Sequence, residues 1–343
     1  MRIPRYVARC VRFLVPVLVV AGVLVTPTLA STPGPAVELA GLELRTGAAS
    51  GTYQGACRVD RLQEFTKWRA RPSQVVVDTL DLRTWEDLAD PRYWTGCWGP
   101  DRKMVYGVGM IPSKDGGSLA AGARGEYDRH FRRMAEHLVK GGHGTAWLRL
   151  GFEFNGAWFP WTAKGQPEVF AAYYRRIVDV VRSVPGADFS FVWNPTVGLE
   201  SVPAERAWPG RTYVDAIGLD LYDASWTPGS YPVPGSASSE QASQRRERAW
   251  QHYVQMDHGL DWWARYAAQQ QLPLALPEWG LVQAEHHGGG DNPLFVERVH
   301  AWLRANDVAF ESYFNAAGLL GDHRLDSQHF PRAAATYRRL FGS

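Results

Sequence analysis

The sequence predicts a single-domain α/β protein, a (β/α)8 TIM barrel, on three observations. Eight short apolar runs alternate with stretches of helical period from about residue 48 onward, as a parallel sheet buried on both faces requires. The 343-residue chain exceeds most single cores but suits a barrel of about 250 residues with insertions. Two glutamates close the fourth and seventh runs, where a barrel's side chains converge on one face. An open doubly wound sheet is the alternative that the same alternation leaves.

The elements follow in order. Arg2, Arg5, Arg9 and Arg12 precede an apolar stretch from Phe13 to Val25 and the small residues around Ala30. This pattern reads as a secretory signal peptide over residues 1–30, and hence as a secreted, extracellular protein. A retained N-terminal anchor is the alternative; the stretch is short for a span and is interrupted by Pro16. Residues 31–47 read as a linker, and 48–343 as the barrel domain. Its expected strands are Gly51–Ala56, Val75–Thr79, Met104–Ile111, Ala146–Gly151, Phe189–Val192, Val214–Leu221, Leu272–Leu276 and Val308–Tyr313.

Helical stripes lie between these runs. Tyr127, Phe131, Met134 and Leu138 form one, and Phe170, Tyr174, Ile177, Val178 and Val181 form another after Pro167. Asn292-Pro293 reads as an N-cap with proline at the first helical position, and Pro331 opens the last helix. Residues 223–247 and 281–291 fit neither pattern and read as long loops after the sixth and seventh strands. The second, rich in glycine, is expected to cap a cleft.

Composition excludes some classes of function. A net charge of +2 with interspersed signs leaves no basic footprint for nucleic acid. His286 and His287 are adjacent and diverge in extended chain, so no metal or other cofactor is expected. A Gly-x-Ser-x-Gly elbow is absent, which argues against a serine hydrolase. Cys57 and Cys97 remain once the leader is removed and read as a disulfide, with two buried free thiols as the alternative. A monomer with no stable membrane span is expected.

The two glutamates carry the chemistry. Glu153 follows an apolar run ending in Phe152, and Glu278 follows Leu272–Pro277. Carboxylates there are expensive unless solvated, paired or used. A pair flanking one bond is what glycoside hydrolysis needs: an acid for the leaving oxygen, and a base or nucleophile opposite. Arg149, four residues before Glu153, is expected on the same strand face, where its guanidinium would hold a carboxylate ionised. Asn155, Trp158 and Trp161, together with Trp193, Tyr222, Trp279 and Tyr313, supply hydrogen bonders and flat apolar faces for a polysaccharide.

The segment from Arg149 to Trp161 resembles the acid/base segment of glycoside hydrolase family 26. Residues 214–223 resemble that family's sixth strand, and Pro277-Glu278-Trp279-Gly280 its nucleophile strand. The resemblance implies a clan A barrel and retaining chemistry, most often endo-acting on β-mannan, with β-glucan and β-xylan also used. It assigns the acid/base to Glu153, the nucleophile to Glu278, the nucleophile's tyrosine contact to Tyr222 and a cleft wall to Trp158. Two positions depart from the pattern: Phe152 stands where the family usually has His, and Tyr313-Phe314-Asn315 where it has Trp. Phe152 is expected to face the cleft, with a place in the barrel–helix layer as the alternative. A carbohydrate-binding protein on a decayed barrel would lose one carboxylate, whereas this chain keeps both. A transglycosylase would use the same pair.

Overall fold

The computed structural model describes residues 48–342; the expected signal peptide and linker lie outside the described residues. Eight parallel strands close into a barrel in chain order. They are β1 (Ala49–Tyr53), β2 (Val75–Thr79), β3 (Met104–Val108), β4 (Trp147–Leu150), β5 (Ser190–Trp193), β6 (Ala216–Asp223), β7 (Leu274–Leu281) and β8 (Val308–Phe314). A hairpin of β9 (Ala317–Gly318) and β10 (Gly321–Asp322) follows β8.

The principal helices are α1 (Val59–Arg69), α2 (Trp85–Ala89), α3 (Arg92–Trp98), α4 (Leu119–Ala123), α5 (Asp128–Lys140), α6 (Pro167–Arg182), α7 (Ser239–Gln255), α8 (Leu260–Gln270), α9 (Pro293–Ala305) and α10 (Pro331–Phe341). The expected stripes are buried on α5 and α6, apart from Tyr127, which stands at the N-cap of α5. Asn292 caps α9 by accepting from the Phe295 amide. Among the described residues, no helix is long and apolar enough to cross a membrane.

Successive strand residues face opposite sides. Val75, Val77, Val105, Val192, Ala216, Ala275 and Phe310 fill the barrel, while a larger layer lies between strands and helices. In β7 the alternation is reset. Ala275 points inward, yet so does Glu278, because the register with β8 shifts between Leu276 and Trp279, around Pro277. Proline has no N–H for the ladder, which suits it to an irregular position.

Two expectations are corrected. Residues 239–247 belong to α7, opened by a capping box between Ser238 and Gln241. The first turns of α7 are polar on every side, so they carry no apolar stripe to betray a helix. The glycine-rich loop after β7 does not cap the cleft; it packs beside the β6 loop, where Ala224 pairs with Gly288 and Trp226 stacks on His287. Cys57 and Cys97 are joined as a disulfide with Cα atoms 5.9 Å apart. It ties the start of α1 to α3 beside Asp78, whose carboxylate accepts from the Cys57 amide and the Trp98 indole.

Candidate active site

β4 ends at Leu150, and the chain then turns sharply. Gly151 takes φ +56°, which glycine adopts without steric cost, and Glu153 takes φ +53°, which other residues seldom adopt. The Glu153 amide donates to the Asn194 carbonyl at 2.7 Å and holds this turn. Strain kept at one carboxylate and fixed from a neighbouring strand points to a functional position. Strand alternation therefore does not explain how Glu153 comes to the cleft into which Arg149 holds Glu278. The turn does.

Arg149 lies fully buried at the barrel's upper end. Its guanidinium donates to Glu278 Oε1 at 2.7 Å, to Asp220 Oδ2 at 2.7 Å and to Asn194 Oδ1 at 2.6 Å. Tyr222 donates to the other oxygen of Glu278 at 3.0 Å. Gly280 permits this, since a Cβ there would come within 3.3 Å of the Tyr222 ring. Glu278 thus has a partner for each oxygen. Charge-assisted hydrogen bonds of this kind are short and strong, and they fix the carboxyl group in the cleft.

Glu153 sits differently. Among the described residues its one side-chain partner is the Trp158 indole, donating to Oε2 at 2.6 Å. Burial pushes its pKa up to about 7, and the negative Glu278 adds to the rise. Arg149 bonds Asp220 and Glu278 but not Glu153. Burial also pushes Asp220 up, and its Oδ1 has no hydrogen-bond partner among the described residues. Two carboxyls of one cleft thereby stand in contrasting surroundings, Glu153 raised by burial and Glu278 bonded at both oxygens.

Both open onto a cavity of about 990 Å³. Trp158, 52% exposed, stands at its edge, and Tyr222 and Phe152 also line it. Phe152 does face the cleft, but as a floor: its ring lies 5.1 Å from the Arg149 guanidinium and packs edge-on against Phe159 and Trp161. No hydrogen bonder stands at that position.

Five expected lining residues do not reach the cavity. Trp193, Trp279 and Tyr313 are each one position from an inward residue and so point into the barrel–helix layer. Trp193 packs with Phe154, Trp208 and Trp263; Trp279 donates to Glu311; Tyr313 donates to the His323 carbonyl. Trp161 is buried beneath Phe159 and donates to the Phe152 carbonyl. Asn155 is buried and braces Thr196 through two hydrogen bonds. Sequence reasoning missed Asn194, Leu199, Glu200, Trp226, Phe314 and His323. Phe314 could have been found by counting parity from Phe310; the others lie on loops or beyond a strand end without a local pattern. Among the described residues, no cluster of three or more potential ligands is placed to hold a metal ion.

Comparison with known proteins agrees with this geometry. Residues 143–231 match the model of glycosyl hydrolase family 26. The chain is 31% identical to endoglucanase H of Acetivibrio thermocellus over 230 residues, 64% of this chain and 22% of that one. It therefore spans about a fifth of that relative's length. A modular endo-β-1,4-mannanase from Cellulomonas fimi superposes with TM-score 0.60 at 17% identity, covering 87% of this chain and 71% of that chain. A β-mannanase from a symbiotic protist of the termite Reticulitermes speratus gives 0.53 at 14%, covering 86% and 87%. At such identities the structural likeness concerns the barrel, whereas the matched segment contains Arg149, Glu153 and Tyr222. Motif and relative thus agree, with residues 143–231 carrying the match to glycosyl hydrolase family 26 on a barrel of the same fold.

Proposed function

We propose that the protein is a secreted, retaining glycoside hydrolase, endo-acting on a neutral β-linked polysaccharide by double displacement. One observation carries the reading: Glu153 and Glu278 open onto one cavity, with Glu153 raised to about 7 and Glu278 held by Arg149 and Tyr222. Glu278 attacks the anomeric carbon while Glu153 gives its proton to the leaving oxygen. Glu153 then takes a proton from the water that releases the glycosyl-enzyme. The disulfide and the basic, apolar leader support export.

Among the described residues the cavity lining includes four carboxyl groups, Glu153, Glu200, Asp220 and Glu278, and neither Lys nor Arg. A polyuronate would meet repulsion there, so β-glucan, β-mannan or a neutral envelope or exopolysaccharide fits better. The endoglucanase relative favours the glucan side, and Phe152 offers no hydrogen bond to a sugar hydroxyl. Reducing-sugar release across β-glucan, β-1,4-mannan, xylan and envelope polymers tests this. The expected result is the highest kcat/KM on a β-glucan or envelope polymer, about ten- to a hundredfold above plain mannan. Mannan as the best substrate would return Phe152 to ordinary packing; no release from any polymer would overturn the hydrolase reading.

The pH dependence has a definite sign. As pH rises through about 7, Glu153 loses the proton it must donate, so kcat/KM falls. A kcat/KM that climbs steadily into alkali would contradict these assignments.

A further inference from the structure

His323 follows the β9–β10 hairpin, is only 2% exposed, and lines the cavity on the side of Glu278. Its Nδ1 lies 2.6 Å from the Leu281 carbonyl. A carbonyl only accepts, so Nδ1 carries the proton. Burial pushes the pKa of this ring down, which keeps it neutral, and Nε2 is then a bare acceptor. Nε2 makes no hydrogen bond among the described residues and is not enclosed by the protein, so it opens to the cavity. The ring is fixed between Tyr222, 5.2 Å away, and Phe314, 5.4 Å away. Gly318 keeps the space before it open, since a Cβ there would stand 3.3 Å from Nε2. A rigidly held acceptor that opens into the cleft is placed to receive a hydroxyl of the ligand.

We propose that His323 determines specificity, its Nε2 accepting a hydrogen bond from a hydroxyl of the sugar bound over Glu278. This rests on the hydrolase reading for its ligand class, a glycan with a free hydroxyl at that point. Recognition is thereby asymmetric: the Phe152 floor beside Glu153 reads shape, and the Glu278 side reads a hydroxyl.

Two substitutions separate this role from a structural one. His323→Asn can keep the hydrogen bond to Leu281 but has no acceptor at the Nε2 position; His323→Gln places an amide oxygen there. On the best-cleaved polymer, the Asn variant is expected to lose about ten- to a hundredfold in kcat/KM with unchanged melting. The Gln variant should recover most of that loss. Calorimetric titration with cellotetraose and mannotetraose should show the same order in affinity. An Asn variant within twofold of the parent, or a Gln variant as poor as Asn, would overturn the proposal. Failure of the hydrolase reading would be visible separately, as no sugar release by the unsubstituted protein, and the titration would still decide the role of His323.

Discussion

Glu278→Gln is expected to leave the barrel folded and to lower kcat/KM by at least about a thousandfold, ~4 kcal/mol of transition-state stabilisation. Glutamine keeps the size of the side chain and can still meet Arg149 and Tyr222, but it cannot form a glycosyl ester. Glu153→Gln should cost about 10²–10⁴-fold, the usual range for a lost general acid. The second loss should depend on the leaving group: a substrate with an acidic phenol as leaving group needs little protonation and should suffer least. Turnover measured on polymer and on an aryl glycoside separates the two roles. Equal losses on both substrates in the Glu153 variant would remove it from the acid role, and unchanged turnover in the Glu278 variant would remove it from the mechanism.

The second large effect concerns Arg149. Its guanidinium is fully buried and bonds Glu278, Asp220 and Asn194 at once. Arg149→Met should destabilise the fold by about 3–5 kcal/mol, because it leaves buried carboxylates without their cation. In a chain of this size that lowers Tm by on the order of 10 °C. Activity should also fall, since Glu278 would lose the partner that holds one of its oxygens. Adding Asp220→Asn should recover part of the stability by removing one stranded charge, while activity stays low. Thermal melts of the single and double variants check this. An Arg149→Met protein that melts like the parent would show that the triad does not hold the barrel's upper end.

The fold was legible because a parallel barrel repeats one simple demand, an apolar strand followed by an amphipathic helix, eight times. The candidate carboxylates were legible because a charge after an apolar run conflicts with burial. What surrounds them was less so. Which residues face inward depends on parity, and the shift near Pro277 resets parity within β7. There Glu278 faces the cleft and Trp279 does not. After β4, two left-handed residues replace alternation altogether. Tryptophans were read as stacking faces, yet Trp161, Trp193 and Trp279 are core, and composition cannot separate the two uses. The cleft walls come from loops such as 197–200 and 224–227, where no periodicity marks a side chain's direction.

The central claim is that Glu153 and Glu278 work as an acid and a nucleophile on one bond, with a covalent glycosyl-enzyme between two displacements. The stereochemistry of the first-formed product tests it most directly. Proton NMR of the early hydrolysate from the best-cleaved β-linked polymer should show the β-anomer of the new reducing end first, with α appearing only later by mutarotation. An α-anomer formed first would mean that water attacks directly, and it would contradict the nucleophilic role of Glu278.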